Sequence, residues 1–284
     1  MEFKKIRLDI DYKKLGLKNG EQEAYLECYL PGNSYYNEMK LTRRNNTVLV
    51  LPGGGYGMLS SREHDPIAFQ FLAAGFTVFA LKYSVKPAVF PTALYQAYTA
   101  IATIRENAEE WLVDPERIAV CGFSAGGHLA ACTGAFWNEQ FVKDALGYQT
   151  EHKPNATVLC YPVITAGEHA HKGSFKNLLG KDELSDGDIE YYSIENRVSK
   201  DFPPSFVWHT ATDQAVPVMN SLLLCQELSK NNVKFELHVY PEGPHGLALS
   251  NHVTEKPGKF PAPAKPRAWV KECIDFLDEI AYNN

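Results

Sequence analysis

The 284-residue chain has no apolar run that could cross a membrane as a helix, which needs about 18 apolar residues in succession. The nearest approach, residues 69–81, is interrupted by Gln70 and Gly75. The N-terminus is basic, but no apolar segment of the kind found in signal peptides follows it. These absences predict a protein with no membrane partner and no secretory leader.

The chain also lacks paired cysteines and an excess of positive charge. Its six cysteines are scattered and form no C-x-x-C pair, and four of them lie in apolar runs. This usage is typical of reduced, buried thiols in a cytoplasmic protein. The net charge of −6 argues against nucleic acid as a partner. No internal repeat or low-complexity segment is present, so residues 1–284 are expected to form a single domain.

What the chain does contain is an alternation of apolar runs and helical patterns. Two early strands, 3–10 and 23–30, joined through Asn19-Gly20, alternate as half-exposed antiparallel strands do. Later strands are predicted at 47–51, 76–81, 118–121, 156–161, 205–210 and 233–240, and helices at 62–74, 92–110, 218–229 and 265–281. Residues 114–117 are predicted to form a turn before the strand at 118–121. The alternation predicts an α/β fold with a mostly parallel sheet of about eight strands and helices on both faces.

Residues 163–202 interrupt this rhythm with about 40 polar residues between two predicted core strands. Such a stretch is either a lid over a site or a peripheral insertion. The strand before it ends close to the Gly-rich turn at 122–126, so the lid is the favoured interpretation.

That Gly-rich turn is the main chemical signal. Gly122-Phe123-Ser124-Ala125-Gly126 matches G-x-S-x-G and lies between a predicted strand and a run of small residues suited to a helix. In this context the pattern predicts a nucleophile elbow, in which a strained turn lifts the serine hydroxyl out of the sheet. The flanking positions must be glycine because strand and helix approach closely there.

A serine nucleophile needs a base and an orienting carboxylate. Asp213 follows the predicted strand at 205–210, and His245 follows the strand at 233–240, in the order Ser, acid, His. Asp201 and Glu242 are alternatives to Asp213 with a weaker sequence context. His209 and His238 are expected to be packed or surface residues within strands, and His128 to face its own helix packing. The histidines in polar stretches are expected to be solvated; they are His64, His152, His169, His171 and His252.

The loop Pro52-Gly53-Gly54-Gly55-Tyr56 follows the predicted strand at 47–51. Its position predicts backbone N–H donors for the oxyanion formed on a carbonyl, together with the N–H of Ala125. A phosphate-binding loop is the rival interpretation. It is disfavoured because Met58 occupies the last glycine position of G-x-G-x-x-G and no Gly-Lys-Ser/Thr follows.

Together these motifs resemble the α/β-hydrolase superfamily, and most nearly its esterase/lipase branch with acetyl xylan esterases and related carbohydrate esterases. The resemblance implies that Ser124 is the nucleophile, His245 the general base and Asp213 its orienter. It implies oxyanion donors at Gly53, Gly54 and Ala125, with Gly55 as the alternative to Gly53. Hormone-sensitive-lipase relatives have histidine where this chain has Pro52, and often Trp or Phe where it has Tyr56. These two differences argue against assigning the substrates of those relatives to this chain.

The sequence therefore predicts a serine hydrolase of carboxylic esters that removes short acyl groups, such as acetyl, from sugars or oligosaccharides. No metal or cofactor is expected, and the partner is a small ester substrate. The early strands leave a homo-oligomer open, since an edge strand can pair with a second copy. Two alternatives remain: an amidase or peptidase of small substrates with the same triad, and a non-catalytic scaffold that only binds a ligand.

Overall fold

The computed structural model of the chain describes residues 1–17, 23–31, 44–147, 152–255 and 262–282. The predicted Asn19-Gly20 junction lies outside these ranges. Within them, eight strands form one sheet in the order β1-β2-β4-β3-β5-β6-β7-β8. The strands are β1 Glu2–Arg7, β2 Tyr25–Leu30, β3 Asn45–Leu51, β4 Thr77–Lys82, β5 Val113–Phe123, β6 Ala156–Cys160, β7 Ser205–Thr210 and β8 Phe235–Tyr240.

The sheet is mixed in the way that the sequence predicts. β1 pairs antiparallel with β2, and β2 antiparallel with β4. From β4 to β8 every neighbouring pair is parallel. Because parallel strands share the direction of their carboxyl ends, the loops after β3, β5, β7 and β8 meet at one edge of the sheet.

Helices cover both faces of the sheet. They are α1 Asp65–Ala73, α2 Thr92–Glu106, α3 Ala125–Ala135, α4 Gln140–Leu146, α5 Lys172–Leu179, α6 Asp186–Tyr192, α7 Met219–Lys230 and α8 Trp269–Tyr282. One apolar cluster joins α2, α3 and α7 to the sheet. A second cluster, which includes Phe71 and Trp269, joins α1 and α8 to the other face. Burial of these apolar side chains on both faces is the main stabilising contribution to such a fold.

Two local predictions differ from the structure. Residues 114–117 lie inside β5 and not in a turn before it. The pairing of β3 with β5 jumps from Asn45–Val113 to Thr47–Ile118, so residues 114–117 stand opposite Asn46 alone, as in an enlarged bulge. Helix α4 lies where the sequence predicts no helix or strand. Only one of its seven residues, Val142, is buried.

Residues 163–202 contain α5, α6 and a 3₁₀ turn, Ile194–Arg197. Helix α6 buries none of its residues. Seven buried apolar residues of the segment belong to the main core: Val163, Ile164, Ala166, Phe175, Leu178, Ile194 and Phe202. The segment is therefore a helical insertion between β6 and β7 that packs on the core through apolar side chains along its length.

All six cysteines are free and buried, in agreement with the sequence prediction. No helix in the described ranges combines the length and the apolar character that crossing a membrane requires.

Candidate active site

Ser124 occupies a strained turn between β5 and α3. Its φ of 55° and ψ of −116° lie in a region that L-residues rarely adopt. The turn is held by backbone hydrogen bonds: the Ser124 N–H donates to the Cys160 carbonyl, and the Ser124 carbonyl accepts from His128 and Val163. The predicted strand, turn and helix are thus present, with the serine at the helix N-cap.

The glycines on either side of Ser124 are required by close packing. A Cβ atom placed on Gly122 would lie 2.1 Å from the carbonyl oxygen of Gly126. One placed on Gly126 would lie 2.2 Å from the carbonyl oxygen of Leu51. Both distances are far below van der Waals contact, so any other residue would force strand and helix apart.

The structure brings together the three residues predicted from sequence order. The Ser124 hydroxyl lies 2.7 Å from Nε2 of His245, and Nδ1 of His245 lies 2.6 Å from Oδ2 of Asp213. Ser124 is 7% exposed and Asp213 5% exposed. The imidazole can therefore accept the serine proton through Nε2 while its Nδ1–H donates to the carboxylate.

The surroundings of Asp213 favour its ionised form. Its Oδ1 accepts hydrogen bonds from the backbone N–H groups of Ala215 and Val216. Burial alone would raise the pKa of Asp213, but hydrogen bonds from His209 and His245, and the positive charge of His245, hold it well below its usual range. His209 is itself fixed by the Ser221 hydroxyl and the Val216 carbonyl.

The glycine loop after β3 differs from the sequence prediction at one position. The Gly53 N–H donates to Oε2 of Glu63 at 2.9 Å and is not free to bind an oxyanion. For Gly54, Gly55 and Ala125, no hydrogen bond from the backbone N–H to another described residue is found. The structure thus corrects the expectation for Gly53 and leaves the alternative donor, Gly55, beside Gly54 and Ala125.

Glu63 is a site residue that the sequence did not reveal. Its carboxylate is almost fully buried and accepts from the Gly53 N–H and, through Oε1, from the Tyr161 hydroxyl at 2.8 Å. The Tyr161 hydroxyl also accepts from the N–H of Ala248, and its ring packs edge-on against His245. Glu63 thereby links the glycine loop to the loop that carries the catalytic-base candidate. The sequence carried only a weak signal, an acidic residue near the predicted helix start.

The structure also shows the burial and contacts of other histidines. His128 and His209 are buried and hydrogen-bonded, as predicted. His64 and His152 were expected to be solvated, but both are buried. His171 was expected to be solvated too, but it lines the cavity beside Ser124. The sequence prediction is wrong for these three histidines because the polarity of a local stretch does not reveal which distant elements pack over it.

A cavity of about 530 Å³ opens beside the Ser124 hydroxyl. Its lining residues are Gly54, Gly55, Met58, Ser60, Arg62, Glu63, Ser124, His171, Gly173, Asn177, His245 and Gly246. Three of them, His171, Gly173 and Asn177, come from the 163–202 segment. The cavity has the size of a small-molecule site.

One group of potential metal ligands occurs among the described residues, and none of its members lines this cavity: Glu27, His64 and Asp65. Lys82 lies 2.7 Å from Glu27, and Nδ1 of His64 lies 2.6 Å from Asp65. Protein groups therefore already occupy these carboxylates, and the arrangement is that of a local ion-pair network.

Comparison with known proteins agrees with this geometry. The family model described as BD-FAE matches residues 34–228. The chain is 32% identical to endo-1,4-beta-xylanase B of Butyrivibrio fibrisolvens over 85% of its own length, and 28% identical to an acetylxylan esterase of Xylanibacter ruminicola over 80%. It spans 40% and 44%, respectively, of the length of these two relatives.

Among solved structures, an acetyl ester-xyloside bifunctional hydrolase from Caldicellulosiruptor lactoaceticus matches with a TM-score of 0.83 and 32% identity. The match covers 99% of this chain and 97% of that one. The fold class predicted from the sequence, and the resemblance to acetyl xylan esterases, are thereby confirmed. The chain belongs to the BD-FAE family of α/β hydrolases.

Proposed function

We propose that the protein is a serine esterase that removes short acyl groups, such as acetyl, from carbohydrates. The observation that carries the proposal is the contact of the Ser124 hydroxyl with Nε2 of His245 at 2.7 Å, continued from Nδ1 to Asp213 at 2.6 Å. A serine so paired is the nucleophile of acyl transfer in unrelated folds.

The reaction follows from these positions. Ser124 Oγ attacks the ester carbonyl while His245 Nε2 takes the hydroxyl proton. The oxyanion is bound by the N–H groups of Gly54, Gly55 and Ala125. His245 then gives its proton to the leaving alcohol, and the C–O bond of the ester breaks. Water, deprotonated by His245, hydrolyses the acyl-enzyme, and the carboxylic acid and free Ser124 result.

Two observations support a carbohydrate as the alcohol part of the ester substrate. The relatives reported above are named for xylan and its acetyl or xyloside derivatives. The cavity presents several polar side chains beside Ser124, among them Arg62, His171 and Asn177. Polar groups at fixed positions are what selects a hydroxylated ligand in a site of this size.

We assign to the 163–202 segment the role of a lid within a single domain spanning residues 1–284. It contributes His171, Gly173 and Asn177 to the cavity wall, and Asn177 donates to the Gly55 carbonyl at 2.9 Å. A cytoplasmic location is supported by the six free, buried thiols, which suit a reducing compartment.

Substitution Ser124→Ala tests the function. Release of p-nitrophenol from p-nitrophenyl acetate, and of acetate from acetylated xylo-oligosaccharides, should fall by roughly 10⁴- to 10⁶-fold with an unchanged circular dichroism spectrum. Ser60→Ala, a second serine on the cavity wall, serves as the matched control and should retain most of the activity. A Ser124→Ala variant of near wild-type rate would refute the mechanism, and faster turnover of aminoacyl anilides than of esters would refute the ester assignment.

A further inference from the structure

His171 lies at the N-cap of α5, the first helix of the 163–202 segment. It lines the cavity that contains Ser124 and His245, and its Cε1 lies 3.9 Å from a Cβ atom placed on Gly55. The ring edge therefore lies against the loop that holds the proposed oxyanion donors. None of the acyl-transfer steps described above uses this imidazole.

The hydrogen bonds of His171 define its tautomer. Nδ1 accepts from the backbone N–H of Ser174 at 3.3 Å and lies 2.8 Å from the Ser174 hydroxyl. A backbone N–H can only donate, so Nδ1 carries a lone pair, and the proton of the neutral ring is on Nε2. Burial lowers the pKa of His171, which favours this neutral form near pH 7.

The Nε2–H of His171 has no hydrogen-bond partner among the described residues, although the ring is half-buried. It is thus a donor of fixed orientation at the wall of the reaction cavity. A donor held in this orientation on a cavity wall favours ligands that place an oxygen acceptor beside it.

The position of His171 relative to the other groups indicates which part of the substrate it meets. His245 returns its proton to the leaving alcohol, so the alcohol part lies on the His245 side of the cavity. A short acyl group such as acetyl fills only a small part of the cavity of about 530 Å³, which His171 and His245 both line. The rest of the cavity, with the Nε2–H of His171 on its wall, therefore receives the alcohol part.

We infer that His171 is a substrate-binding residue whose Nε2–H donates a hydrogen bond to a hydroxyl oxygen of the alcohol part of the ester. The ligand class is esters of polyhydroxylated alcohols, of which acylated sugars are one case. The inference rests on the proposed esterase function and names the group that selects its substrates. Asn177 of α5 donates to the Gly55 carbonyl, and this contact holds His171, at the N-cap of the same helix, in the cavity with Ser124.

Two isosteric acetates test the inference without requiring that the natural substrate be known. 2-Hydroxyethyl acetate and propyl acetate differ by a terminal hydroxyl in place of a methyl group. We expect kcat/KM of the wild type, measured by titration of released acetic acid, to favour the hydroxylated ester by about 3- to 10-fold. His171→Phe keeps a ring and removes the donor, and this preference should fall to the ratio of the intrinsic reactivities of the two esters.

Two further variants separate recognition from a structural effect. His171→Gln, which retains a side-chain N–H, should recover part of the preference. His169→Ala, two residues earlier and absent from the cavity wall, should behave as wild type. With propyl acetate, His171→Phe should stay within about threefold of the wild type, because no hydrogen bond to that ester is lost.

An equal loss on both esters, or an unchanged ratio in His171→Phe, would overturn the inference and leave the esterase assignment standing. A wild-type protein that hydrolyses neither acetate nor p-nitrophenyl acetate would instead remove the proposed function, and with it the role of His171.

Discussion

The loops at the carboxyl edge of the sheet and the 163–202 segment are built in different ways. In the loops, Ser124, Asp213 and Glu63 are almost fully buried and each is fixed by hydrogen bonds to backbone groups. The segment packs on the core through apolar side chains such as Ile164, Phe175 and Phe202, and its helix α6 has no fully buried residue. The comparison indicates that hydrogen bonds at the sheet edge fix the groups proposed for the chemical step, whereas apolar packing holds the segment that we propose contacts the alcohol part of the substrate.

The segment also contacts the loops at the carboxyl edge through polar groups. His128 of α3 donates from Nε2 to the carbonyl of Tyr192 at the end of α6, and its Nδ1 accepts from the Tyr56 hydroxyl. Asn177 donates to the Gly55 carbonyl. Variants on the two sides of these contacts should therefore differ in what they impair: the rate of the chemical step on one side and selectivity on the other.

The largest effect should come from the carboxylate behind the histidine. Asp213→Asn removes the charge that orients His245 and stabilises its protonated form, so kcat for p-nitrophenyl acetate should fall by about 10⁴-fold. Asp201→Asn, an exposed carboxylate at the end of the 163–202 segment, is the matched control and should leave kcat unchanged. A loss of kcat below tenfold in a folded Asp213→Asn protein would contradict the comparison, because the chemical step would then not depend on the loops at the sheet edge.

Glu63 should give the next effect. Glu63→Ala leaves the Gly53 N–H and the Tyr161 hydroxyl without their acceptor, so the glycine loop loses its anchor. We expect kcat/KM to fall by roughly tenfold to a hundredfold, mainly in kcat, since oxyanion donors act in the transition state. The affinity for a boronic acid, which forms a tetrahedral adduct on serine, should fall in parallel.

Tyr161→Phe is the matched variant, because it removes one partner of Glu63 and keeps the bond to Gly53. It should lower the melting temperature with a smaller loss of kcat. Equal losses of kcat in the two variants would indicate that Glu63 only stabilises the fold and does not position the glycine loop.

The smallest effect is a dependence of stability on pH at the contact between α3 and the 163–202 segment. Burial lowers the pKa of His128 to about 4, against a smaller opposing effect of its bond to Tyr192. In the unfolded chain it takes up a proton near pH 6.5. The unfolded state therefore binds more protons between these values, and the stability should decrease by up to about 3 kcal/mol as pH falls from about 6.5 to about 4.

Urea unfolding across this range would measure the effect. In His128→Gln the contribution of this group should disappear and the curve flatten, whereas His252→Gln, an exposed histidine, should follow the wild type. A wild-type curve as flat as that of His128→Gln between these pH values would contradict the assignment of a buried, neutral imidazole.

Much of this site could be predicted because its parts follow strands. Ser124, Asp213 and His245 each come after an apolar run, and the carboxyl ends of parallel strands must meet at one edge. The eight-stranded sheet followed from the same alternation of strands and helices. Both predictions use short-range patterns that the fold preserves.

Glu63 and His171 could not be found in this way. Glu63 is buried by Tyr161, 98 residues later in the chain, and His171 becomes a wall of the cavity only when α5 packs beside Gly55. The Gly53 prediction was wrong for the same reason, because Glu63 takes its N–H. Contacts between distant elements decide these roles, and no local pattern records them.

The central claim is that Ser124 is activated by His245. The most direct measurement is the mass of the intact protein after reaction with a fluorophosphonate, with peptide mapping of the modified residue. The account predicts one adduct per chain, located on Ser124, and a much slower reaction in His245→Ala. Labelling at another residue, or an equal labelling rate in His245→Ala, would contradict it.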